Sequence, residues 1–127
     1  MPLVKIELKE GRELSTILKI KELVMDAVIE ALQLSADDRN IRVCEYKPEL
    51  FSMKSPYEIL VVITMFSGRT IDTKKKLYQL ITVKLEQNGI CSKENVFIVL
   101  NEQALENWGV RGGIPANEVK LNFKVEI

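Results

Sequence analysis

At 127 residues and 14.5 kDa, with 46% hydrophobic and 28% charged residues, the chain has the size and balance of one globular domain, which excludes disordered, collagen-like and low-complexity classes. Eighteen Lys plus Arg offset eighteen Asp plus Glu, so no general attraction to nucleic acid or to an anionic membrane is expected. With no histidine, the Ser-His-Asp, Cys-His and His-rich zinc sites are excluded, and Cys44 and Cys91 are too few and too far apart for a CxxC motif, a disulfide framework or a Cys-only zinc site.

In chain order, MPLVKIELKEGR alternates charged with apolar residues and lacks the apolar core of a signal peptide, which points to a cytoplasmic protein. Residues 3–8 read as a strand. Residues 13–34 carry apolar side chains at 14, 17, 18, 24, 28 and 32, the spacing of an amphipathic helix. A second strand follows over 40–46. Ile59–Phe66 is an unbroken apolar run, too short to span a membrane and suited to a strand buried on both faces. Residues 71–88 are helical, with apolar positions 71, 77, 81 and 85, and Asn88-Gly89 is a good helix stop. A strand over 95–101 is followed by a glycine loop, Trp108 to Ala116. Residues 119–127 alternate apolar and polar without a fault, predicting a half-buried final strand.

Sliding the sequence on itself by 57 positions, without a gap, aligns Leu3 with Leu60, Val4 with Val61, Ile6 with Ile63, Gly11-Arg12 with Gly68-Arg69, Leu23 with Leu80 and Ile41 with Ile98. An internal repeat is therefore expected. The fold class is α+β: two tandem β-α-β units, residues 1–57 and 58–127 of a single domain, form a four-stranded sheet with two helices on one face plus the C-terminal strand. The uncovered apolar sheet face of so small a domain predicts identical subunits packed through their sheets.

If a local two-fold axis runs the first strands of the units antiparallel, Pro2 lies beside Ser67-Gly68-Arg69, while Arg12 lies beside Ile59. Only one of the two ends then has a proline. Removal of Met1 exposes a secondary amine at Pro2, and apolar burial with a nearby guanidinium favours its neutral form, making it a general base. On its own, a proline before a strand needs no function. Arg69, after a glycine and before a helix, suits a carboxylate, whereas Arg12 reads as a solvated or helix-flanking arginine. Arg42 is either an outward-facing strand residue or a second carboxylate clamp. Trp108 is either a core-edge plug or the wall of a small pocket. Asp37 and Asp38 read as turn residues, and Lys74-Lys75-Lys76 as a solvated helix face.

Met1-Pro2 opening into a strand, Glu10-Gly11-Arg12, Ile41-Arg42-Val43 and the late NWGVRGG loop together resemble the tautomerase superfamily, and the chain is similar to its fused, double-length members, including malonate semialdehyde decarboxylase. That resemblance implies a trimer of double units and a cofactor-independent site with no metal. It implies Pro2 as the catalytic residue, Arg69 and Arg42 as carboxylate-binding arginines, Trp108 as the pocket aromatic and Asp38 as the acidic residue of the decarboxylase. Serine at position 67, where that decarboxylase has a further arginine, weakens the decarboxylase reading. The haloacrylate dehalogenase branch relies on a histidine that this chain lacks.

The expectation is thus a cytoplasmic keto-enol tautomerase of a small 2-oxo acid or enol. Its alternatives are a decarboxylase or hydratase using a cationic Pro2 with Asp38 and Arg69, and a non-catalytic trimeric binding protein.

Overall fold

The computed structural model describes residues 1–127. The elements are β1 (Leu3–Lys9), α1 (Leu14–Leu32), β2 (Ile41–Tyr46), β3 (Ile59–Phe66), α2 (Ile71–Gln87) and β4 (Val96–Gln103), followed by two-residue strands β5 (Gly109–Val110) and β6 (Ile114–Pro115). The four long strands form one mixed sheet in the order β2-β1-β3-β4. Pairing is parallel within each β-α-β unit, as the sequence predicts, and antiparallel where β1 meets β3, which meets the condition on which the placement of Pro2 rested.

Alternation along each strand decides which face is covered. Val4, Ile6 and Leu8 of β1, with Ile59, Val61, Ile63 and Met65 of β3, are fully buried. They join Ile20, Val24 and Val28 of α1 and Leu77, Ile81 and Leu85 of α2 in one core. Each such side chain contributes roughly 1.5–3 kcal/mol on burial, so the two helices are held chiefly by this face. The opposite face stays open. Leu3, Phe97 and Val99 are 37–40% exposed there, beside Leu60 and Val62. Lys5 and Glu7 form an ion pair at 3.6 Å on the same face, and Tyr46 donates its hydroxyl to Glu7.

The helix ends follow their local chemistry. Thr70 caps α2 by accepting from the Thr73 amide at 3.2 Å, and Gly89, at φ +72, takes the chain away after Asn88. The loop after β4 is not merely flexible: Arg111, Gly112 and Gly113 all have positive φ and close the β5-β6 hairpin. The expected final strand is a correction. Along residues 119–127 alternate side chains are half-buried as the pattern requires, but the segment joins neither sheet of this chain. It instead packs on the β3-α2 junction, with the Thr70 amide donating to the Ile127 carbonyl at 2.7 Å.

The 57-residue offset has a geometric counterpart. It carries Lys5 onto Val62, and those two residues are partners in the β1-β3 ladder, so the local two-fold axis passes through that pair. It also carries the 3-10 turn Pro48–Leu50 onto the 3-10 turn Leu105–Asn107.

Candidate functional site

The β1-β3 register fixes where the start of the chain lies. Leu3 pairs with Thr64, and one step further sets Pro2 beside Met65, one residue before Phe66 and four before Arg69. Pro2 is buried. At the end of β3, Gly68 adopts φ +128, which an L side chain rarely tolerates, and this turn directs Arg69 inward just ahead of the α2 cap.

Arg69 is the only charged side chain that the fold buries, at 6% exposure. One guanidinium nitrogen, Nη1, donates to the Phe66 carbonyl at 3.0 Å, while Nε has no partner. No carboxylate lies within ion-pair distance of it. Its Cζ sits 5.8 Å from the centre of the Phe123 ring. Burial lowers the Arg69 pKa, and the charge of Glu102, which is itself engaged by Lys74 at 2.5 Å, opposes that shift. A buried cation with an unanswered donor is costly, and a bound anion removes the cost.

The half-buried amino group of Met1 donates to Asp38 Oδ2 at 2.6 Å. Its pKa is lowered, first by burial; the hydrogen bond and charge of Asp38 raise it, and the charge of Arg69 lowers it again. The chain terminus therefore sits in the field of both groups. Asp38 is oriented by Asn40, whose side-chain amide donates to Oδ1 at 2.9 Å. The adjacent Arg39 does something else: it pairs with Asp26 and, at 3.2 Å, with Glu22, tying the start of β2 to α1.

Trp108 stands with its ring edge-on to Phe66, 4.8 Å between centres, and its Nε1 is buried without an acceptor. Phe66 stacks in turn on Phe123 at 6.0 Å. So Asp38 and Arg69 both act on the chain terminus, Pro2 lies beside Met65 of β3, and Trp108 reaches that end of β3 through Phe66. Arg42 does not: it is exposed on the open sheet face, paired in register with Lys5. Arg12 lies at the other end of β1 and makes no ion pair.

Three residues escaped the sequence reading. Phe66 and Phe123 were visible only as members of apolar patterns, and nothing in those patterns says which end of a strand meets an arginine. Arg111 carried a weak signal, a cation set in a glycine turn. It donates from Nη1 to the Lys120 carbonyl at 3.1 Å and lines a shallow depression with Met1, Asp37, Asp38 and Asn122. Both cysteines are free thiols. Chemically, the arrangement sets an amine with a weakened hold on its proton beside a carboxylate and an unpaired buried guanidinium.

A family model described as "Tautomerase enzyme" matches residues 38–111. The probable tautomerase YusQ of Bacillus subtilis (strain 168) is 29% identical over 121 residues, covering 89% of this chain and 95% of that protein. Among solved structures, FG41 malonate semialdehyde decarboxylase inhibited by 3-bromopropiolate superposes with a TM-score of 0.82 at 25% identity, covering 94% of this chain and 98% of that one. A fused 4-OT in a symmetric trimer superposes with a TM-score of 0.80 at 18% identity, covering 91% and 96%. No helix is long and apolar enough to cross a membrane.

Proposed function

The chain belongs to the tautomerase family of enzymes, and from that premise we propose that it interconverts the enol and keto forms of a small 2-oxo acid without a cofactor, using the Pro2 nitrogen as base after removal of Met1. The observation that carries this reading is Arg69: a buried guanidinium with no carboxylate partner and an orphan donor, in electrostatic reach of the chain terminus. It supports a substrate that brings its own carboxylate.

In this mechanism the substrate carboxylate meets Arg69. Pro2 nitrogen takes the proton of the enol hydroxyl, the enolate charge is stabilised by Arg69, and the resulting ammonium delivers the proton to the neighbouring carbon. Trp108, with Phe66 behind it, excludes water, and its free Nε1 offers a further donor to a substrate oxygen. Pro2 lies at the buried start of β1 beside Met65, and apolar surroundings disfavour the cationic form of an amine formed there. Arg42, on the open face, serves a pocket shared between chains in a homotrimer.

A second reading, decarboxylation or hydration through a cationic Pro2, is favoured by one contact: Asp38 holds the Met1 ammonium at 2.6 Å, and a carboxylate so placed would also favour a cation at Pro2. Ultraviolet absorbance of phenylenolpyruvate decides between them. Wild type is expected to speed its decay, with activity rising as the amine loses its proton. Pro2→Ala is expected to lose about 10² to 10⁴ of that rate, a well-placed base being worth that much. Unchanged turnover in Pro2→Ala, or an intact mass retaining Met1, would exclude Pro2 as the base.

A further inference from the structure

The offset that carries Arg12 onto Arg69 also carries Phe51 onto Trp108, each directly after its 3-10 turn. The opposite end of the β1-β3 ladder therefore carries an arginine and an aromatic in corresponding places. There the chain surrounds about 100 Å³ of space between Lys9, Arg12, Phe51, Met53, Tyr57 and Glu58. That is room for several waters or one small ligand. Neither Lys9 nor Arg12 is in an ion pair, and two cations facing one carboxylate leave net positive charge in a cavity with three apolar or aromatic walls. The positions equivalent to Met1 and Pro2 are Glu58 and Ile59, residues inside the chain with no amine to offer.

We propose that this cavity is a second, non-catalytic binding site for a small monocarboxylate with a short apolar body. The carboxylate meets Arg12 and Lys9, the body lies against Phe51 and Met53, and Glu58 disfavours a second carboxylate. The site stands on the cavity and its charges, so it does not depend on proton transfer at Pro2.

The test is a titration of the full-length protein, labelled with 13C at its methionine methyls, with benzoate. Met53 reports this cavity, Met65 the Arg69 end and Met25 the core. The wild-type Met53 methyl is expected to shift saturably, and Arg12→Ala to weaken that response about tenfold or more, as loss of a hydrogen bond to a charged group does. Lys9→Ala should weaken it less, and Met25 should stay in place in both variants. Arg69→Ala should leave the Met53 response intact. Succinate should bind here more weakly than benzoate. A Met53 signal that stays silent while Met65 shifts, or one that responds equally in Arg12→Ala, overturns the proposal. A saturable Met53 shift in a protein that leaves phenylenolpyruvate untouched upholds the second site while it sinks the tautomerase reading.

Discussion

A terminal amine works as a base near neutrality only when its cation is held back, and at the Met1 amino group burial and two side chains act on that balance, the same surroundings that an amine at Pro2 would enter. Burial and Arg69 disfavour the ammonium, while Asp38 favours it, and the sum lies on the side of a lowered pKa. The signs make separate predictions. If Pro2 acts as the neutral base, kcat/KM rises with pH through the amine pKa and then levels. Asp38→Asn removes the group that stabilises the cation, so the rising limb should move to lower pH. Arg69→Gln removes a group that destabilises it, so the limb should move to higher pH, with KM raised because the substrate carboxylate loses its partner. Rates recorded across the pH range for the two variants check both shifts. A limb that falls with rising pH in wild type would instead fit the cationic reading. Pro2 was readable as a candidate because few groups can replace histidine as a base, and Arg69 because the repeat sets a glycine-arginine step beside it; Asp38 read as a turn residue and became a candidate only through the family resemblance. Phe123 was not readable, because its contact with Arg69 depends on where the tail folds.

At the scale of elements, the tail and the β3-α2 turn depend on each other. Gly68 and Gly11 are repeat partners with nearly the same backbone, φ +128 and +129, but different surroundings. A Cβ at Gly68 would come within 2.9 Å of Val125 Cγ1, while nothing lies within 4 Å of one at Gly11. Gly11→Ala therefore measures backbone strain alone, of the order of 1–3 kcal/mol. Gly68→Ala adds the displacement of the tail that supplies Phe123, and is expected to destabilise more in urea unfolding and to lower turnover. Equal destabilisation of the two variants would mean that the tail does not brace Arg69. The helices and long strands were legible because each carries its own period. The tail misled because an alternating pattern specifies an extended, half-buried segment without specifying a partner strand. The burial alternation along residues 119–127 is present, and the ladder within the chain is not.

For the whole molecule, the duplication made the sheet legible, since a gap-free offset implies two like units and an antiparallel meeting of β1 and β3 closes them about one axis. The far face of the sheet is the one expected to pack identical subunits. Its two halves differ: Arg42 on β2 corresponds to Val99 on β4, so the β4 side, with Phe97 and Val99, is the more apolar. A face whose halves are unlike is poorly self-complementary, and contacts between unlike surfaces form a ring where the rotation closes, the arrangement that the proposed trimer requires. Val99→Lys tests this. In an isolated chain Val99 is 37% exposed, so the substitution should cost within about 0.5 kcal/mol of folding stability, as ordinary surface changes do. In a sheet-packed trimer the same ammonium would be buried without a partner and assembly should fail. Sedimentation is expected to give about three times 14.5 kDa for wild type and a single chain for Val99→Lys. Turnover should fall with assembly if Arg42 completes a neighbouring pocket. A Val99→Lys protein that stays trimeric would move the interface off this face, and with it the role proposed for Arg42.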